Sequence, residues 1–246
     1  MVKRGQVSIF LIVALIIIII LSLTYFLRLS ISKIQKQEIV KASKSDLIRT
    51  DIQSCLTNTA NSAIYLLGLQ GGFTEKPDKF LTINNSIVAF GYYKNAAIIN
   101  SLKGLETEIN SYIEKNLPLC ISKENQKLIF EQGSVISKVS INENDIKIEA
   151  SYPIRIKQED RVESLPENYQ TELKIRLGYV YNFILGIIQK QLRDPLNIDI
   201  ANLLKSDLTI DIVGYKDNIL IYLITDKKSK INNKPFVFIF ANYFGT

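Results

Sequence analysis

Residues 219–243 read ILIYLITDKKSKINNKPFVFIFANY, and this stretch decides the fold. Two nearly continuous apolar runs, 219–226 and 235–243, follow the segment DLTIDIV at 207–213 and a turn at 215–218. Runs of β-branched and aromatic residues of this length are typical of strands that are buried on both faces. We therefore expect three strands of a central, covered sheet, with the polar run 226–234 as an exposed hairpin loop.

The chain upstream of these strands predicts a second group of strands. Residues 128–177 alternate apolar and polar side chains in VISKVSI, IKIEASYPIRIKQ and ELKIRL, which predicts an antiparallel meander with one wet face. Residues 81–93 predict a hairpin that turns at Asn84-Asn85.

Apolar residues at helical spacing predict three helical regions. One runs from Leu29 to the glycines at 68, 71 and 72, another begins at an N-cap Ser101 and stops at Pro118, and a third occupies 178–193. The fold class we expect is α+β, in which an N-terminal transmembrane helix continues into a stem and an antiparallel sheet domain packs against helices. The corresponding division is a transmembrane helix at 6–28, a helical stem at 29–68 and an α+β domain at 69–246.

The transmembrane segment is the clearest feature of the N-terminal region. From Val7 to Leu27 no residue is charged, and a helix of that length reaches about 30 Å, the thickness of a hydrocarbon core. The alternative is a secretory signal that is removed, but the apolar run is longer than such signals and lacks a small-x-small cleavage site. We expect a retained single-pass anchor in the cell membrane.

Orientation rests on conflicting signals. Two basic residues precede the segment and five follow it between 28 and 44, a count that alone would leave the domain in the cytoplasm. A cysteine pair, Cys55 and Cys120, and a sequon that makes Asn84 a glycosylation candidate both favour a domain outside the cytoplasm. A Cys55–Cys120 disulfide would close a loop and so stabilise the fold by about 4 kcal/mol. The other interpretation is two reduced thiols in the core.

Composition argues against most enzyme classes. The 246 residues include no His, which excludes Ser-His-Asp and Cys-His sites and most zinc sites. The net charge of +6 is scattered, so we expect no nucleic-acid partner, and we expect no metal, no cofactor and no catalytic residue. The carboxylate pairs Glu143/Asp145, Glu159/Asp160 and Asp194/Asp199 lie in predicted turns or helix ends, and Ser229 beside lysines lies in the predicted loop.

The stretch Lys3-Arg4-Gly5-Gln6-Val7-Ser8-Ile9-Phe10 resembles the processing site of archaeal type IV pilin-like precursors with class III signal peptides. The resemblance implies a leader at 1–5, a prepilin-type peptidase as partner and cleavage between Gly5 and Gln6. It also implies that the rest of the chain faces outward. Many members carry Glu where this chain has Phe10, so the resemblance supports cleavage more than polymerisation.

Stretches 65–72, 116–120 and 225–230 are similar to uncharacterised membrane-anchored proteins of small-genome archaea. We expect a non-enzymatic surface protein, a pilin-like subunit or an adhesion or interaction domain that works through self-assembly or envelope protein partners. The alternatives are a signal-anchored scaffold or accessory domain of an envelope membrane complex and, remotely, a membrane-tethered hydrolase.

Overall fold

The computed structural model describes residues 22, 44–120, 129–158, 161–195, 198, 203–216 and 218–245. The chain divides into the units Met1–Ile48 and Arg49–Thr246, and the second unit contains the sheets and their packed helices. Three helices are present among the described residues: α1, Lys44–Leu69; α2, Leu102–Asn116; and α3, Leu177–Arg193. Together with the sheets below, they confirm the α+β class.

The central sheet is formed by the strands at the two ends of the second unit. Its strands are β1, Phe80–Ile83; β2, Ser86–Tyr93; β3, Ala96–Ala97; β10, Thr209–Gly214; β11, Ile219–Ile231; and β12, Lys234–Tyr243. The order is β1-β2-β12-β11-β10, and β3 pairs with β2. All pairs are antiparallel except β2 with β12, which is parallel. The three predicted C-terminal strands are confirmed, with β11 and β12 inside the sheet and β10 at its edge.

The middle of the chain forms two further sheets instead of the single predicted meander. The strands are β4, Ile129–Gln132; β5, Ile136–Ile141; β6, Ile146–Ser151; β7, Ile154–Gln158; β8, Arg161–Ser164; and β9, Asn168–Leu173. One sheet has the order β4-β7-β8 and the other β5-β6-β9. The alternation over 146–158 predicts one strand, but the run breaks at Tyr152-Pro153 because proline lacks the backbone N–H that a strand ladder needs.

Helix ends and turns follow local rules. The Ser101 side chain accepts a hydrogen bond from the Gly104 N–H (3.0 Å), which confirms the predicted N-cap of α2. Helix α1 ends where Gly71 and Gly72 take φ values of 70° and 100°, a region that glycine enters without steric cost. Asn84 and Asn85 also take positive φ, as the predicted two-residue hairpin turn requires.

Helices α1 and α2 hold the β5-β6-β9 sheet through side-chain bonds. Gln53 donates to the Gln170 carbonyl at 2.6 Å, and Glu114 accepts from the Ser137 N–H at 2.9 Å. The predicted stem is therefore part of the packed core from residue 52 onward, where Ile52 is buried. Residues 29–43 of that stem lie outside the described residues.

None of the helices among the described residues has the length and apolar character needed to cross a membrane. The predicted transmembrane segment 6–28 lies outside the described residues apart from Ser22. The segment therefore stays a prediction from the sequence.

Candidate interaction surface

The central sheet has one closely packed face, here called the inner face. Its β11 and β12 side chains are exposed by 1% or less: Tyr222, Ile224, Phe236, Phe238 and Phe240. The Tyr222 and Phe240 rings stack with centroids 4.9 Å apart. Helix α1 packs so closely on this face that a methyl group at Gly68 would collide with the Val237 carbonyl oxygen. Close approach of the helix backbone explains a glycine inside α1.

Polar groups buried on the inner face satisfy one another. The Gln191 side chain of α3 donates from Nε2 to the Tyr222 hydroxyl at 2.5 Å, and its Oε1 accepts from Asn242 Nδ2 at 2.5 Å. Asn242 Oδ1 in turn accepts from the Tyr92 N–H at 3.0 Å. Burial raises the pKa of the Tyr222 hydroxyl, which keeps that group neutral and able to take part in hydrogen bonds.

A charged group lies at one end of this face and is here called the Arg176 cluster: Arg176, Asp207, Asp226, Lys228 and Ser229. Arg176 contacts Asp226 through Nε (3.0 Å) and Nη2 (2.6 Å), and contacts Asp207 through Nη1 (3.0 Å). Lys228 Nζ lies 2.6 Å from Asp207, and the Ser229 hydroxyl donates to Asp226 at 2.5 Å. The guanidinium group thus donates hydrogen bonds to two carboxylates at once.

The Arg176 cluster corrects the prediction of an exposed loop at 226–234. Strand β11 continues to Ile231, and Asp226 and Ser229 are 0% exposed. Asp226 faces inward in the regular alternation of β11 with Tyr222 and Ile224, and the register shift between Asp226 and Lys230 places Ser229 inward as well. Arg176 supplies the opposite charge to Asp226. The turn itself is confined to Asn232 and Asn233, both with positive φ.

Electrostatics within the cluster favour the ionised carboxylates. Burial by itself would raise the pKa of Asp226, but hydrogen bonds from Arg176 and Ser229 outweigh burial and lower that pKa. Hydrogen bonds from Arg176 and then Lys228 lower the pKa of Asp207. The opposite charges of the cluster form ion pairs with one another. The ion pair between Arg176 and Asp207 fixes the segment before β10 to the start of α3.

The opposite side of the central sheet, here called the outer face, has a different character. Its centre is buried: Val88, Phe90 and Ala241. Around this centre lie half-buried apolar side chains, which belong to strands and to one loop residue: Leu81, Ile83, Tyr93, Ile98, Ile219, Ile239 and Tyr243. No helical residue among those that the structure describes belongs to this cluster. Coverage of this second face stays a prediction, because the described residues do not include all of the chain.

A β-bulge at Gly91 places the aromatic residues of β2. Phe90 is paired with Ala241, but Tyr92 is paired with Asn242, so β2 carries one extra residue at Gly91. The Gly91 carbonyl accepts from the N–H groups of both Ile98 (2.8 Å) and Ile99 (3.0 Å). The shift keeps Tyr92 on the inner face beside Asn242 and sends Tyr93 to the outer face.

Tyr93 is the centre of an aromatic group on the outer face. Its ring centroid lies 5.2 Å from that of Phe90 and 5.1 Å from that of Tyr243. Lys79 Nζ lies 5.6 Å from the Tyr93 ring centroid, which adds a positive charge at the rim. Half-buried aromatic residues with a polar rim are the composition that protein–protein interfaces favour.

Among the described residues, the cysteine pair singled out from the sequence is brought together by the structure. Cys55 of α1 and Cys120, which ends the 3₁₀ turn Leu117–Cys120, lie within disulfide distance, with Cα atoms 6.2 Å apart. The Thr59 hydroxyl packs against both sulfur atoms. Among the described cysteines, neither is free. The pair fixes the end of α2 to α1, as the sequence predicts for the bonded form.

The other sequence candidates are scattered. Asn84 is exposed in its hairpin turn, which leaves the sequon accessible. Asp145 accepts from Asn142 Nδ2 at 2.7 Å and so serves a turn, while Glu143 is exposed. Gly5, Gln6, Phe10, Glu159, Asp160 and Asp199 lie outside the described residues. Within the described ranges, no three metal-ligating side chains converge.

Neither the Arg176 cluster nor the outer face is predicted from the sequence. Arg176 stands in the run ELKIRL, whose alternation predicts a strand, and only the fold brings it to Asp226, fifty residues along the chain. A signal for the outer face exists in β12, where both alternating sets of side chains are apolar.

Comparison with known proteins adds no relative. No family model matches the chain, and neither a curated protein nor a solved structure matches it.

Proposed function

We propose that this chain is a non-enzymatic, single-pass membrane-anchored surface protein whose α+β domain lies outside the cytoplasm and binds a protein partner of the envelope. The observation that carries the binding role is the outer face of the central sheet, with its half-buried aromatic residues around Tyr93. When a partner removes apolar area of this kind from water, binding is favoured by about 25 cal/mol per Å² of buried area.

The anchor and the orientation rest on the sequence. The uncharged run 7–27 supports a retained helix, and Cys55 and Cys120 at disulfide distance support an oxidising compartment. The Gly5-Gln6 site supports processing by a prepilin-type peptidase, as in pilin-like precursors.

Intact-mass measurement of the membrane-extracted protein tests the anchored, processed form. We expect loss of residues 1–5 and a mass that rises on alkylation only after reduction. An uncut N-terminus with two free thiols would overturn processing and export, and an uncut N-terminus with an intact disulfide would favour the signal-anchored scaffold.

A pair of charge insertions tests the binding surface. Ile239 lies on the outer face, half-buried, whereas Ile136 on β5 is 69% exposed away from it. We expect Ile239→Lys to release the chain from its native-size membrane complex while Ile136→Lys leaves that complex intact. The same complex size for both variants would contradict a binding role of the outer face.

A further inference from the structure

A second candidate binding surface lies along the edge of strand β10 that does not face β11. Strand β10 is the last strand of the central sheet and pairs with β11 alone, and no other strand among the described residues pairs with its far edge. In an antiparallel ladder, alternate residues direct their N–H and C=O groups away from the neighbour, so this edge presents a row of donors and acceptors.

Natural sheets usually protect such an edge, and β10 has little protection. Its six residues, TIDIVG, contain no proline and no lysine, and its pairing with β11 runs through six consecutive pairs without a bulge. The only charged side chain is Asp211, which is exposed at the centre of the strand. The edge is therefore regular enough to accept another strand.

Apolar side chains lie on both sides of this edge. On the inner side, Ile210 and Ile212 line a groove of about 480 Å³ together with the segment before the strand, in which Leu204 is 80% exposed. On the outer side Val213 is 50% exposed. An added strand with alternating side chains would therefore find apolar contacts above and below the sheet.

The charge of Asp211 distinguishes two kinds of strand that could pair with this edge, a second copy of β10 and a strand of another protein. If β10 paired with itself across a two-fold axis over residues 209–213, the two Asp211 carboxylates would lie directly opposite each other. Like charges in opposite positions destabilise an antiparallel pair, whereas opposite charges stabilise it. In that register the charge favours a foreign strand with a basic residue opposite Asp211 over a second copy of this chain.

We propose that β10 is a strand-addition site for an extended segment of a partner protein, with apolar residues opposite Ile210 and Ile212 and Lys or Arg opposite Asp211. This site is separate from the outer-face aromatic group and stands whether or not that group binds a partner.

The test uses the full chain in detergent and three short fluorescent peptides. The basic probe alternates Ile with Lys, the acidic probe alternates Ile with Glu, and the third has the basic composition shuffled around a central Pro. We expect the basic probe to bind at least about tenfold more tightly than the other two. Equal binding of all three, or no binding of the basic probe, would overturn the proposal.

Charge reversal identifies the site. We expect Asp211→Lys to reverse the preference in favour of the acidic probe, while Asp78→Lys, an exposed Asp outside the sheet, keeps the wild-type preference. Hydrogen exchange gives a second readout, because the basic probe should slow exchange of the β10 amides in the wild-type chain. An unchanged preference in Asp211→Lys, unprotected β10 amides, or a wild-type dimer that excludes the probe would each contradict a foreign strand at this edge.

Discussion

The inner and outer faces of the central sheet are built from the same strands, yet their side chains are buried to different extents. On β12 the inner residues Phe236, Phe238 and Phe240 are exposed by 1% or less, whereas their outer neighbour Ile239 is half-buried. Helix backbone, a buried amide network and the Arg176 cluster complete the inner face. The outer face has aromatic contacts, and its apolar cluster contains no helical residue among those that the structure describes. The difference separates a closely packed face from one whose apolar side chains are only partly buried.

The largest expected effect compares two adjacent residues of β12. Phe238→Ala should lower the free energy of unfolding by about 3–5 kcal/mol, because it opens a cavity in a packed core. Ile239→Ala should lower it by only about 1–2 kcal/mol, because its side chain is partly solvated already. Urea unfolding of the full chain in detergent, followed by circular dichroism, measures both. Equal losses would show that the two faces are equally packed.

Removing the cation of the Arg176 cluster should have the next largest effect. Arg176→Met leaves the fully buried Asp226 carboxylate without its partner, and such a loss typically costs about 3–5 kcal/mol. Arg155→Met, at an exposed position on β7, is the matched control and should change stability by less than about 0.5 kcal/mol. A loss as small as that of the control would show that Asp226 is not held by Arg176.

The same cluster predicts an acid dependence of stability. The folded-state pKa values of Asp226 and Asp207 are lowered, so the stabilisation is present above the unfolded-state pKa of about 4 and is lost as the pH falls below it. Urea midpoints measured across that range should fall toward low pH in the wild type and fall less in Arg176→Met. Parallel pH profiles of the wild type and Arg176→Met would show that the acid dependence of stability does not come from the Arg176 cluster.

A smaller effect is expected from the buried amide network. Tyr222→Phe leaves the Gln191 amide of the inner face without its acceptor, which should cost about 1–3 kcal/mol. Tyr65→Phe on the exposed side of α1 should be neutral, since Tyr65 is 49% exposed. The free energies of unfolding of the two variants give the comparison, and identical values would exclude a contribution from the network.

The smallest effect is a gain. Nothing lies within 4 Å of a methyl group placed on Gly186 of α3, so Gly186→Ala should stabilise the chain by about 0.5–1 kcal/mol through helix propensity. Gly68→Ala in α1 should instead destabilise it, because the inner face has no room there. A thermal melt of each variant tests the sign, and a loss in Gly186→Ala would reveal a contact on that side of α3.

Local rules make much of this fold predictable from the sequence. The three C-terminal strands, the Ser101 cap, the Asn84-Asn85 turn and the end of α1 at its glycines all depend on nearby residues, and their predictions are confirmed. The nearness of Cys55 and Cys120 follows from a helical stem beside a second helix.

Features that depend on distant residues could not be predicted in this way. Strands β6 and β7, on either side of Tyr152-Pro153, belong to different sheets, and local alternation, which is the same in both strands, does not reveal this. Asp226 and Ser229 look like loop residues until the fold supplies Arg176. The half-buried outer face follows from which side the helices pack on, and β12 is equally apolar on both sides.

Site-specific photo-crosslinking in native membranes tests the binding role of the outer face most directly. A photoreactive phenylalanine derivative would replace Tyr93 on the outer face or, as the control, the exposed Tyr65 of α1. We predict one discrete adduct from position 93, identified by mass spectrometry as the same envelope protein in repeated preparations, and none from position 65. Absence of an adduct at position 93, or equal adducts at both positions, would contradict the assignment of the outer face as the partner-binding surface.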